Sequence, residues 1–108
     1  MAAYKLWQEF LAHFPKNSKY TLGEKIDVLF IEILEVIFIA SYLGRDKKSP
    51  YIEKARTKLD SLKFFLQIAW EVKALPNKHY IALSRPLEEI GKMLGGWLKQ
   101  LNRENLPA

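Results

Sequence analysis

Residues 21–44 read TLGEKIDVLFIEILEVIFIASYLG, and the reading of this stretch decides the fold. Ile26, Leu29, Phe30, Ile33, Ile37 and Ala40 recur at the three- and four-residue spacing of one helix face rather than at the alternate positions of a strand. Glu32 and Glu35 interrupt the run, so it falls short of the roughly 18 unbroken apolar residues of a membrane span. Thr21 followed by Glu24 has the pattern of a capping box, and Leu43-Gly44 is an ordinary glycine stop. The stretch is therefore expected to be a buried, water-facing-on-one-side helix over residues 21–43.

Working outward, three more helical segments follow by the same spacing, and strand signals are lacking: there is no sustained alternation and no Asn-Gly or Asp-Gly hairpin turn. Residues 3–13 form the first helix, ended by Phe14-Pro15, because the residue before proline is pushed out of the helical region. Ser49-Pro50 reads as a cap and first helical residue, opening a third helix over 50–74 with Ala55, Leu59, Leu62, Leu66 and Ala69 inward. The basic segment RDKK before it is read as a loop. A fourth helix takes residues 78–102, with a kink or break expected near 82–85, ahead of Pro86. Four helices joined by short connections in 108 residues predict one all-α domain, an antiparallel up-down-up-down four-helix bundle.

The second and third helices carry more apolar surface than one core stripe uses. On the second, Val28, Ile31, Val36, Ile39, Tyr42 and Leu43 fall outside the core stripe, interleaved with Glu24, Glu32 and Glu35. On the third, Phe64, Phe65, Ile68 and Val72 do the same. A contiguous second stripe marks a protein–protein interface more often than scatter does. The expectation is a homo-oligomer, with Val28, Ile31, Glu32, Glu35, Ile39, Phe64, Phe65 and Ile68 at the interface and the carboxylates facing cations of a neighbouring copy.

The composition is 49% hydrophobic and 13% aromatic, too apolar for a disordered chain. There is no cysteine, which excludes disulfides and thiolate chemistry. Residues 1–14 place Glu9 and His13 where a secretory signal needs an unbroken apolar stretch. A soluble cytoplasmic protein with no membrane role is expected. Net charge is +5, and it is unevenly spread: residues 21–43 are net acidic while every other segment is net basic. Arg45, Lys47, Lys48, Lys54, Arg56, Lys58, Lys63, Arg85, Lys92, Lys99 and Arg103 are the candidate contacts to a phosphate backbone or to a protein partner. Nothing in their pattern supports base-specific reading.

Catalytic constellations are not visible. His13 and His79 stand at helix ends without the spaced partners of a metal site. Glu32 and Glu35 superficially match half of a di-iron motif, but that motif needs inward-facing Glu-x-x-His pairs, and no histidine follows. Ser41, Ser61 and Ser84 have no nearby base, and Gly95-Gly96 lacks the phosphate-loop pattern. No enzyme activity, metal, cofactor or small-molecule substrate is expected. The glycines of EEIGKMLGGWLKQL (residues 88–101) point elsewhere: Gly91 and Gly95 share one helix face, where missing side chains let another backbone come close. Leucine at either is expected to overpack that contact.

Three stretches together, FPKNSKYTLGEKI (14–26), KARTKLDSLKFFLQIAWEVKAL (54–75) and EEIGKMLGGWLKQL, resemble a family of small four-helix bundles. That family comprises proteins encoded in intervening sequences of bacterial ribosomal RNA genes and the accessory variability proteins of diversity-generating retroelements. The resemblance covers almost the whole chain, and Ile90–Trp97 with the Tyr20-x-Leu22-Gly23 helix start is its most specific part. It implies a pentameric ring with a basic surface. In the retroelement branch it further implies a non-enzymatic accessory that partners a reverse transcriptase and engages RNA or DNA without sequence specificity during mutagenic copying. The ribosomal branch implies instead a self-associating structural protein without a nucleic-acid role. Gln67, where a basic residue is common, and Pro86 depart from the family pattern.

Overall fold

The computed structural model describes residues 1–104. Among them are four helices longer than a single turn and no strand: α1 (Ala2–Leu11), α2 (Glu24–Tyr42), α3 (Arg45–Glu71) and α4 (Asn77–Glu104). Each helix runs antiparallel to the next, and α4 returns beside α1. Tyr4 meets Phe30 and Trp7 meets Asp27 across α1 and α2. Lys25 lies over Phe65 while Glu32 pairs with Lys58 across α2 and α3. Trp70 stacks on Tyr80 and Lys48 lies over Trp97 across α3 and α4. Phe10 stacks on His79 between α1 and α4. Falling numbers on one helix meet rising numbers on its neighbour at every seam, which is the expected up-down-up-down course.

The bundle is a rod of 55 × 20 × 19 Å. A helix of 28 residues spans about 42 Å, so α4 runs most of that length. At 10 residues, α1 does not. Its first residues share a shallow cleft with Pro86, Ile90 and Met93 of α4. Beyond that level the rod has three helices, closed by Val36, Ala40, Ile52, Ala55, Leu94, Leu98 and Leu101, all buried. The four-helix end is filled by larger rings, Trp7, Phe14 and Phe30. No polar or charged side chain is buried among the described residues, so the core rests on apolar burial alone.

The boundaries depart from the sequence reading in three places. The linker before α2 is helical: Pro15 O accepts from Ser18 N (3.0 Å) and Lys19 N (2.9 Å), a turn forms at Lys16–Ser18, and a wider π-type turn at Lys19–Gly23 runs straight into α2. The expected capping box is not made. Thr21 Oγ1 donates to Ser18 O instead, because the helical path has already begun. Gly23 serves close packing: a Cβ there would stand 2.9 Å from Leu11 Cδ1 and 3.4 Å from Phe14 Cδ2.

The basic segment 45–48 is the first turn of α3 rather than a loop, with Gly44 as its cap and Pro50 inside the helix. Lys48 secures this turn by lying 5.0 Å from the Trp97 ring of α4, a cation–π contact across the seam. At its other end α3 stops at Glu71. Ala74 N bonds Ala69 O (2.8 Å) and Lys73 N bonds Trp70 O (3.0 Å), the paired bonds of a Schellman motif. Lys73 takes the left-handed position at φ 66°, where glycine is usual. Finally, Pro86 does not break α4, which is continuous from Asn77. The carbonyl of Ala82, which loses its partner to the proline, sits on an exposed residue where water can replace it.

The close approach expected at Gly91 and Gly95 is not made inside the chain. A Cβ at Gly91 would rest in ordinary contact with Leu59 Cδ2 (3.5 Å) and Lys63 Nζ (3.7 Å), and one at Gly95 or Gly96 would meet nothing within 4 Å. Gly95→Ala is therefore expected to raise stability by about 1 kcal/mol through helix propensity, read as a melting midpoint higher by about 4 °C or more. A lower midpoint would mean that another chain covers this bare face.

Candidate assembly and nucleic-acid surfaces

Two surfaces stand out, one apolar and one cationic. On α2, residues 24, 28, 31, 35, 38 and 42 fall within a narrow arc at about 100° per residue, and this arc points away from the core. Val28, Ile31, Phe38 and Tyr42 on it are all exposed, at 42%, 48%, 60% and 75%. Phe38 and Tyr42 pack edge to face with centroids 4.8 Å apart. Glu24 and Glu35 punctuate the stripe and are exposed.

The stripe differs in membership from the one read in the sequence. Val36, assigned to it there, is buried in the core, because its direction falls between the two stripes and α3 closes over it. Ile39 and Leu43 are half-buried and Ile37, assigned to the core, is half-buried as well. Phe38 was missed, although it stands seven residues after Ile31 and four before Tyr42, a spacing that signals a shared face. On α3, Phe64 is exposed, whereas Phe65 and Ile68 are half-buried and Phe65 packs against the core.

Glu32 turns toward α3 and pairs with Lys58 of the same chain. The Lys58 ammonium, assisted by the nearby Lys25 and Lys54, holds the Glu32 carboxyl below the usual carboxylate range. One residue expected at an oligomer interface and one expected at a phosphate contact thus engage each other within the chain. Lys25, absent from the candidate residues, joins them by closing over Phe65 at 5.7 Å.

The remaining cations divide by position. Arg56, Lys63 and Lys92 line one open cleft of about 400 Å³ between α3 and α4, floored by Leu59 and Gly91 and edged by Asp60 and Glu88. The lack of a side chain at Gly91 keeps this floor low. Arg45, Lys47 and Lys48 gather on the first turn of α3, beside the end of α4 that bears Lys99 and Arg103. Lys54 and Arg85 are exposed and line neither cluster.

Two polar arrangements escaped the sequence reading because they depend on contacts across helices. Asp27 Oδ1 accepts from Trp7 Nε1 (3.1 Å) and Gln8 Nε2 (2.8 Å), fastening α1 to α2. His79 stacks on Phe10 with centroids 3.9 Å and planes 6° apart, and its Nδ1 is buried without a hydrogen-bond partner. Burial, with the charges of Lys78 and His13 nearby, holds the His79 imidazole below its ordinary pKa. Among the described residues no group of three or more His, Asp or Glu side chains could hold a metal ion. None of the described helices is long and apolar enough to cross a membrane.

A family model described as bAvd-like matches residues 2–101, nearly the whole chain and all four helices. The chain belongs to the bAvd-like family. The match is consistent with the accessory variability proteins of diversity-generating retroelements, an accessory-protein family not known as one of enzymes. The matched span contains the α2 stripe and the complete Arg56–Lys63–Lys92 cleft, and leaves out only Arg103 among the candidate cations. No curated protein matches the chain closely enough to count as a relative.

Proposed function

We propose that this bAvd-like protein is a non-enzymatic, self-associating accessory subunit of a diversity-generating retroelement. It assembles through the outer stripe of α2, as a pentameric ring by the family resemblance, and engages nucleic acid and a reverse transcriptase through its cationic surfaces. The observation that carries this reading is the separation of the two surfaces. The stripe lies on the outer face of α2, while the Arg56–Lys63–Lys92 cleft is bounded by α3 and α4. A copy docked on the stripe leaves the cleft open, and repetition around a ring multiplies each weak phosphate contact. Membership of an accessory family associated with oligomers and reverse transcriptases supports it.

Binding of structured RNA is expected to weaken linearly in log affinity with log salt, since released counterions drive it. The variant Arg56→Gln/Lys63→Gln/Lys92→Gln should reduce the magnitude of that slope by about 2–3 per chain in contact. An unchanged slope would remove the cleft from the binding surface. Self-association without any salt-sensitive binding would reduce the function to that of a self-assembling scaffold, the other branch of the original resemblance.

A further inference from the structure

The turn between α3 and α4 carries a second aromatic feature that the cationic cleft does not use. Trp70 is 39% exposed although it sits among buried neighbours on its own helix, Leu66 and Ala69. Its ring is fixed twice: it stacks on Tyr80 with centroids 5.3 Å and planes 14° apart, and Nε1 donates to Asn77 Oδ1 at 3.1 Å. The turn is already closed by the Schellman bonds and by buried Ala74 and Leu75, so no gap in the core calls for an indole there. An open cleft of about 640 Å³ lies against Trp70, lined by Glu71, Lys73, Leu75, Pro76 and Asn77. Trp70 lines this cleft and Tyr80 does not.

Lys73 is the second unusual feature. Among the described residues it alone has a positive φ, in a position where glycine would avoid the strain of a Cβ. A strained residue beside an open cleft is a reason to look for function. Lys73 brings the one ammonium of the lining to this cleft. The one carboxylate of the lining, Glu71, is engaged along its own helix by Gln67 Nε2 at 3.1 Å.

We propose that this cleft is a stacking site for one nucleotide of single-stranded nucleic acid, the base lying against Trp70 and the adjoining phosphate meeting Lys73. The site extends the nucleic-acid reading above and rests on it. It adds a preference that the Arg56–Lys63–Lys92 cleft cannot supply, because a paired base has no free face to stack.

The test compares the full chain and its variants for binding to a labelled 12-nucleotide RNA, single-stranded or annealed to its complement. Trp70→Ala is expected to weaken the single strand about tenfold or more, with the salt slope and the duplex affinity unchanged. Trp70→Phe, which keeps a ring on Tyr80 but loses the bond to Asn77, should restore most of that affinity. Lys73→Gly removes the cation together with the strain and should lower the single-strand slope by about 0.7. Single-strand affinity indifferent to Trp70, or equal losses for single strand and duplex, would overturn the site while leaving the cationic cleft standing. So would a Trp70→Ala chain that loses only a reverse-transcriptase contact, which would make the cleft a protein interface. If the wild-type chain binds neither RNA, the nucleic-acid reading falls and this site falls with it.

Discussion

Replacing Trp7 with alanine is expected to lower the unfolding free energy by about 3–5 kcal/mol, a large part of what a domain of this size has. The indole is fully buried, lies 5.9 Å from the Phe30 ring in a stacked arrangement, and meets Phe14 edge-on at 5.5 Å. Its loss leaves a ring-sized cavity at the four-helix end and takes a side-chain donor from Asp27. The effect reaches beyond the cavity. A helix of 10 residues is too short to persist alone in water, so α1 stays helical only while it is docked. Urea denaturation at constant m-value measures the loss. Trp7→Phe keeps one ring in the core but loses the bond to Asp27 and part of the indole's volume, so a smaller cost of about 2 kcal/mol is expected for it. Equal costs for the two variants would show that the hydrogen bond, not the ring packing, holds α1.

Phe38→Glu is expected to dissociate the assembly at micromolar concentration without lowering the stability of the single chain. Within the chain Phe38 is 60% exposed and its ring packs on the exposed Tyr42, so folding gains little from it. Between chains the balance reverses. Burying a phenylalanine is worth about 1.5–3 kcal/mol, and a carboxylate buried in its place without a partner costs several more. Glu35, on the same arc, would add like-charge repulsion. Sedimentation equilibrium with a parallel thermal melt separates the two effects. A wild-type monomer would dispose of self-association altogether, and an assembled Phe38→Glu chain would move the interface off this stripe.

The number and order of the helices, and their antiparallel course, were legible because apolar spacing is a local property, repeated often enough on each helix to be unmistakable. What lay at element ends was not. Thr21 and Glu24 have the chemistry of a helix start, yet Pro15 had already begun the helical path, and a local signature cannot show that an earlier one has won. Residues 45–48 read as a loop because the Trp97 ring that supports them is far off in sequence. Val36 was misplaced for a related reason: a residue near the border of two arcs is sorted by where the neighbouring helix sits, whereas the spacing of Phe38 from Ile31 and Tyr42 already put it on the outer face. The charged residues were all visible, but not their partners, so Lys58 was counted as available for phosphate although Glu32 holds it. Trp70, Asn77 and Tyr80 likewise acquire meaning only once α3 and α4 lie side by side.

The shortness of α1 and the antiparallel register also make the rod directional. One tip presents the α3–α4 turn with Trp70, Lys73 and the His79–Phe10 stack. The opposite tip presents Arg45, Lys47 and Lys48 beside Lys99 and Arg103. Rotational symmetry about a ring axis keeps such tips in register. A ring built from rods standing along its axis would therefore be two-faced, an annulus of aromatic turns above and an annulus of cations below. A strand and an enzyme could approach it from opposite sides without competing for the same ground.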